Sequence, residues 1–177
     1  HREFKEEAAP EFETLAEDPL PTLREIKRKL VSYKKTEWKN RLEQAEAEAE
    51  DPESNPTVDE IKDDIEEFER EIDRYERGVS LLETDDEALE LFKKVNLVFL
   101  RKVRQGDPWD ETAELEYPGW RPFQVVFIVS LLPDIIHEER DFTPEKHSRD
   151  IVDILYFPTG GGKTEAYLAL LAFTMLF

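Results

Sequence analysis

Eight apolar residues between Val58 and Leu82 constrain this chain most. Val58, Ile61, Ile65, Phe68, Ile72, Tyr75, Val79 and Leu82 step by 3, 4, 3, 4, 3, 4 and 3 residues. A period near 3.5, held for over three heptads, is the seam of a coiled coil; a strand, whose faces alternate every two residues, cannot follow it. A seam needs a partner, and "PLPTLREIKRKLVSYKKTEWKNRLEQAEAEAE" upstream supplies one. There Leu23, Ile26, Leu30 and Tyr33 step by 3, 4 and 3, and Trp38, Leu42, Ala45 and Ala49 resume the stripe after a shift of phase. Thr22 reads as the N-cap of this first helix, with Glu25 completing a capping box. Asp51-Pro52 and Asn55-Pro56 lie between the two helices as turn dipeptides. So short a link makes an antiparallel hairpin within one chain the simplest arrangement, ahead of a dimerising coiled coil.

Charge is concentrated in this hairpin. The 177 residues carry −19 at neutral pH, of which residues 37–90 hold −16, residues 1–36 hold 0 and residues 91–177 hold −3. An arm that acidic repels phosphates and is excluded as a nucleic-acid grip. Arg24, Lys27, Arg28, Lys29, Lys34 and Lys35 cluster near the start of the first helix. Antiparallel pairing sets them against the end of the second helix, where Glu76 and Glu83 lie. The cluster then reads as a face complementing an acidic neighbour, with a nucleic-acid contact as the alternative. Without cysteine there is no disulfide framework or thiolate metal site, and His1, His137 and His147 are too scattered for a ligand pair.

Four regions follow: a polar tail over 1–19, broken by Pro10 and Pro19 and poorly ordered unless docked; the acidic hairpin over 20–83; a helical segment over 84–150; and a different pattern over 151–177. In the third region Thr84 reads as the N-cap of a helix faced by Leu91, Phe92, Val95, Val98, Phe99 and Val103 and stopped by Gly106. "DPWDETAELEYPG" is a loop, "WRPFQVVFIVSLLPDII" an apolar helix and "HEERDFTPEKHSRD" a charged loop. The longest apolar run, "AYLALLAFTMLF", has 12 residues, too few to span a bilayer. A soluble cytoplasmic protein without a membrane partner is expected. His1 at one end, and Phe177 in mid-pattern of an apolar helix at the other, read as cuts in a longer protein.

"IVDILYF" is β-branched and aromatic and reads as a buried strand. It runs into "PTGGGKT", and "TEAYLALLAFTMLF" after it reads as a helix. Strand, glycine run and helix are the setting a phosphate-binding loop requires. Thr159, Gly160, Gly161 and Gly162 would turn backbone N–H groups onto phosphate oxygens. The helix start adds its dipole, Lys163 is the catalytic cation for the β- and γ-phosphates, and Thr164 would place its hydroxyl on Mg²⁺. Glu165 belongs to the same nucleotide-binding run as a first-turn helix acid. Phe157 stands where the general pattern has its first glycine. The fold expected is therefore mainly α, a long helical hairpin plus further helices, ending in a strand, P-loop and helix; the likeness of "PTGGGKT" to motif I of superfamily 2 helicases implies that these are the first strand, P-loop and helix of a RecA-like α/β domain.

"PTGGGKT" resembles motif I of superfamily 2 helicases and translocases. "WRPFQ", together with "IVDILYFPTGGGKTEAYLALLAF", is similar to the large helicases of the DISARM anti-phage system, and "LFKKVNLVFL" is more loosely so. The resemblance covers roughly residues 85–177, with its specific part over 153–167. It implies an ATP-driven DNA helicase or translocase using ATP and Mg²⁺, with DNA and the proteins of a defence complex as partners. Lys163 and Thr164 carry over as phosphate and Mg²⁺ residues. "RPFQ" resembles the glutamine element that reads adenine, which makes Gln124 an adenine contact. Gln124 lies 39 residues before Lys163, a longer spacing than that element ordinarily has, so an ordinary polar residue on a packed helix is the competing reading. No acidic Mg²⁺ partner and no arginine follow Thr164, so these 177 residues alone are expected to bind phosphate without turning ATP over. The other functions open to the sequence are a helical interaction module and a P-loop ATPase outside the helicases; "WRPFQ" and "TEAY" argue against the latter.

Overall fold

The computed structural model describes residues 9–48, 57–140 and 162–177, the side chains of 48 and 137–140 excepted. Among the described residues the fold is helical: α1 (Phe12–Glu17), α2 (Pro19–Tyr33), a π-helical turn (Lys34–Trp38), α3 (Lys39–Glu48), α4 (Val58–Thr84), α5 (Asp86–Lys102), α6 (Pro122–Arg140) and α7 (Lys163–Leu176). No strand occurs among them, only isolated bridges joining Glu11 to Gly119 and Arg104 to Leu115. The expected strand "IVDILYF", together with Thr159, Gly160 and Gly161, lies outside the described residues.

The hairpin is antiparallel, and its register is written in charge. Arg24 pairs with Glu83 at 2.7 Å, Lys27 with Glu76, and Lys34 with Glu69 at 2.9 Å. As the residue number rises on α2 it falls on α4. These pairs are largely exposed, so they add little stability and mainly select the alignment. The phase shift between Tyr33 and Trp38 is absorbed by the π-helical turn. One extra residue in the turn returns the apolar stripe to the seam, so Tyr33 and Trp38 both pack on Phe68, each with ring centroids 5.9 Å away.

The two cap residues expected from sequence are displaced. α2 starts at Pro19 with Asp18 before it, so Thr22 lies inside the first turn and is not the cap. Pro19 is suited to a first helical position, where its missing N–H costs nothing, and it is buried there. α4 runs on through Thr84, whose hydroxyl bonds back to Ser80 O at 2.8 Å. Asp85 then caps α5, accepting Ala88 N–H at 3.0 Å. α5 ends at Lys102, before Gly106, and Val98, expected on its apolar face, is 48% exposed. Residues 137–140, expected in a loop, continue α6.

One apolar cluster joins the elements. Leu23 of α2, Tyr75, Val79 and Leu82 of α4, Phe92 and Phe99 of α5, Val129 and Leu132 of α6, and Ala169 and Phe173 of α7 all belong to it. The segment expected to be a tail is docked into the same cluster: Phe12 and Leu15 are fully buried. Phe12 N–H donates to Pro118 O at 3.0 Å, and Trp120 N–H to Pro10 O at 2.9 Å. Helices α4 and α6 pack closely near Pro133, which lies inside α6. Proline has no N–H to offer the Val129 carbonyl four residues back. Gly78 sits against that carbonyl so tightly that a Cβ there would lie 2.0 Å from Val129 O.

Candidate functional site

Two helix starts meet at the candidate site, and the N-terminal segment sets the first of them. Phe12 packs edge-on against Trp120 at 5.0 Å, and Phe99 lies 4.4 Å from the same indole. The Trp120 Nε1–H donates to Asn96 Oδ1 at 2.7 Å, while Asn96 Nδ2 donates to Phe92 O at 2.8 Å. A buried indole and a buried amide thus satisfy one another and fix Trp120 on α5. Four residues later comes Gln124, the third residue of α6. Its Oε1 accepts the Arg121 N–H at 2.8 Å. This is the back-reaching half of a capping box, with Pro122 at the first helical position.

The other end of the same amide reaches the second helix start. Gln124 Nε2 donates to Gly162 O at 2.6 Å, and Gln124 is only 4% exposed. Gly162 precedes α7 with φ 82° and ψ 29°, the left-handed region that glycine enters without a Cβ penalty. Its carbonyl also accepts the Ala166 N–H at 3.4 Å, so both lone pairs are engaged. A Cβ at Gly162 would come within 2.5 Å of Gln124 Nε2. Gly162 itself has no side chain with which to cap α7. Its first turn begins with Lys163 and Thr164, the hydroxyl-bearing residue lying exposed and Lys163 half-buried. Glu165 completes the turn, and its Oε2 would lie 3.4 Å from that same added Cβ.

Of the sequence-predicted site residues, the structure brings Gln124, Gly162, Lys163, Thr164 and Glu165 to one place. It adds Tyr117, which sequence reading missed. Burial and then the charges of Glu165 and Glu116 push its phenol above the ordinary value. The missed signal was the aromatic beside Pro118-Gly119, where two loops cross. Phe127 and Tyr167 meet edge to face at 5.7 Å and hold α6 against α7 just behind the site. Among the described residues there is no cluster of acidic or histidine side chains that could hold a metal by itself. None of the described helices is long and apolar enough to cross a membrane.

Fold and site together define a helical unit whose last helix starts at Gly-Lys-Thr and is tied at that start to a second helix. No family model matches the chain. It is similar to the DISARM protein DrmA of Bacillus paralicheniformis, with 36% identity over 101 residues. The alignment takes in 52% of this chain and 8% of that relative, so the chain spans a small part of the length of the curated protein it matches. The likeness supports a relation to the DISARM anti-phage system.

Proposed function

We propose that this chain supplies the phosphate-binding segment of an ATP-driven DNA helicase or translocase of a DISARM-type defence system. The observation that carries the reading is the start of α7: the helix leaves a left-handed glycine and passes directly into Lys163 and Thr164. The first backbone N–H groups of a helix have no partner within it, and together with the dipole they favour an anion. A turn of this kind, with a lysine and a hydroxyl in its first two positions, fits a nucleoside triphosphate. The likeness to DrmA points to the same system.

On this reading Gly160, Gly161 and Gly162 offer backbone N–H groups to the phosphates, and Thr159 opens the turn. Lys163 brings a positive charge to the β- and γ-phosphates. Thr164 offers its hydroxyl to Mg²⁺, which when bound neutralises charge developing on the transferred phosphoryl group. Glu165 supports the helix start as a first-turn acid. The activating carboxylate, the arginine and the DNA track belong to other parts of the intact protein.

The test is Lys163→Ala in the full-length protein. It is expected to remove DNA-stimulated ATP hydrolysis, by two orders of magnitude or more, given the charge that lysine supplies at the transferring phosphate. Hydrolysis at the wild-type rate, in a variant with an unchanged melting temperature, would sink the assignment.

A further inference from the structure

The family resemblance makes Gln124 a reader of adenine; the geometry gives its amide another task. Reading adenine along that edge requires a glutamine to accept from the exocyclic amine and donate to a ring nitrogen. Here the Oε1 is engaged by the Arg121 N–H at 2.8 Å and the Nε2 by the Gly162 carbonyl at 2.6 Å. The side chain is 96% buried, by its 4% exposure, so a base would have to displace both bonds to use it. Both partners are backbone groups at helix starts. Losing either would leave a buried polar group unpaired, which costs more than the bond itself contributes.

We infer that Gln124 is a positioning residue for the phosphate site: its amide holds the Gly162 carbonyl, and with it the left-handed turn that aims Lys163 and Thr164. The inference rests on the phosphate-site reading of α7 given above. It separates two roles that the resemblance combines, because a latch on Gly162 acts on the triphosphate whatever base is attached. It also accounts for the long spacing between Gln124 and Lys163. A latch needs only that the α6 and α7 starts meet in space, and the intervening chain length is free to vary.

The experiment uses the full-length protein and three probes: ATP, GTP and inorganic tripolyphosphate as competitor. Gln124→Glu keeps an oxygen for the Arg121 N–H and removes the donor to Gly162. It is expected to weaken all three probes by a common factor of about ten, the scale of one buried hydrogen bond to a carbonyl, and to leave the ATP:GTP preference unchanged. Gln124→Met keeps the buried volume without either bond, and serves if the buried carboxylate prevents folding; the same common loss is expected. A collapse of the ATP:GTP preference with tripolyphosphate competition unaltered would overturn the inference in favour of base reading. Unchanged binding of all three probes would overturn it as well. Lys163→Ala in parallel keeps the two levels apart. If it leaves tripolyphosphate competition intact, the phosphate-site reading itself is lost. If it removes competition while the Gln124 variants do not weaken it, the latch alone fails.

Discussion

Helix α4 closes its own first turn, whereas α7 does not. At α4, Thr57 Oγ1 accepts the Glu60 N–H at 3.3 Å, and Glu60 Oε2 takes the Thr57 N–H at 2.8 Å. Two residues of one turn, Thr57 and Glu60, satisfy each other, with nothing required from the rest of the protein. At α7 the residue before the helix is Gly162, with no side chain to give, and the external hold is Gln124 of α6 grasping its carbonyl. A start that needs only stability is built locally with Thr and Glu. One that starts at a glycine is held from behind instead, through the carbonyl, by another helix.

The α7 start is most sensitive at Gly162. Gly162→Ala places a Cβ on a residue with φ 82° and within 2.5 Å of Gln124 Nε2. The backbone strain alone is worth about 1–3 kcal/mol, and relieving it moves the turn that carries Lys163. Lower thermal stability and at least a tenfold loss of nucleotide affinity are expected, measured by melting and by titration on the full-length protein. Wild-type values for both would mean the left-handed turn is not a constraint. Thr57→Ala is the matched change at the other start. Loss of that cap is expected to cost about 1 kcal/mol in a denaturant titration, with nucleotide affinity untouched. A change in affinity from so distant a cap would erase the distinction between the two starts.

How far the two starts could be read from sequence follows the same division. Thr57, Val58 and the heptad stripe are local signals, and α4 with its partner helix follows from them; the short link between the helices set the direction of the hairpin, with which the charges of Arg24, Lys27, Glu76 and Glu83 agree. Where two local signals compete, tertiary burial decides. Thr22 and Glu25 match a capping box, but Pro19 is buried and the helix start lies four residues further back, with Asp18 before it. Thr84 and Asp85 are both cap residues, and the apolar packing of Leu81 and Leu82 carries α4 through the threonine. Phe12 and Leu15, spaced three apart in a polar stretch, were a visible sign of docking. Gln124 is different. Its link to Gly162 spans 38 residues, and nothing local records that the two helix starts meet. The expected strand "IVDILYF", with Thr159, Gly160 and Gly161, falls outside the described residues.

The smallest expected effect is on the α4 side, and it depends on pH. The Thr57 backbone N–H and then the Thr57 hydroxyl bond the ionised Glu60 and hold its carboxyl below the ordinary value of 4.5. The folded value being the lower one, the bonds contribute their stability fully above the unfolded value. They lose it as pH falls from there through the folded value. Amide signals of Thr57 and Glu60 should therefore titrate with a midpoint below 4.5, and the α4 start should fray only in that acid window. Thr57→Ala removes the hydroxyl, the second of the two causes, and should raise the Glu60 midpoint part of the way back. Because Glu60 is exposed to solvent, the global melting temperature should barely respond to this titration. A midpoint at or above the ordinary carboxylate value would mean that Glu60 does not close the turn in solution. Then α4 would not be self-capped, and the difference between a start closed by its own residues and one held by another helix would be lost.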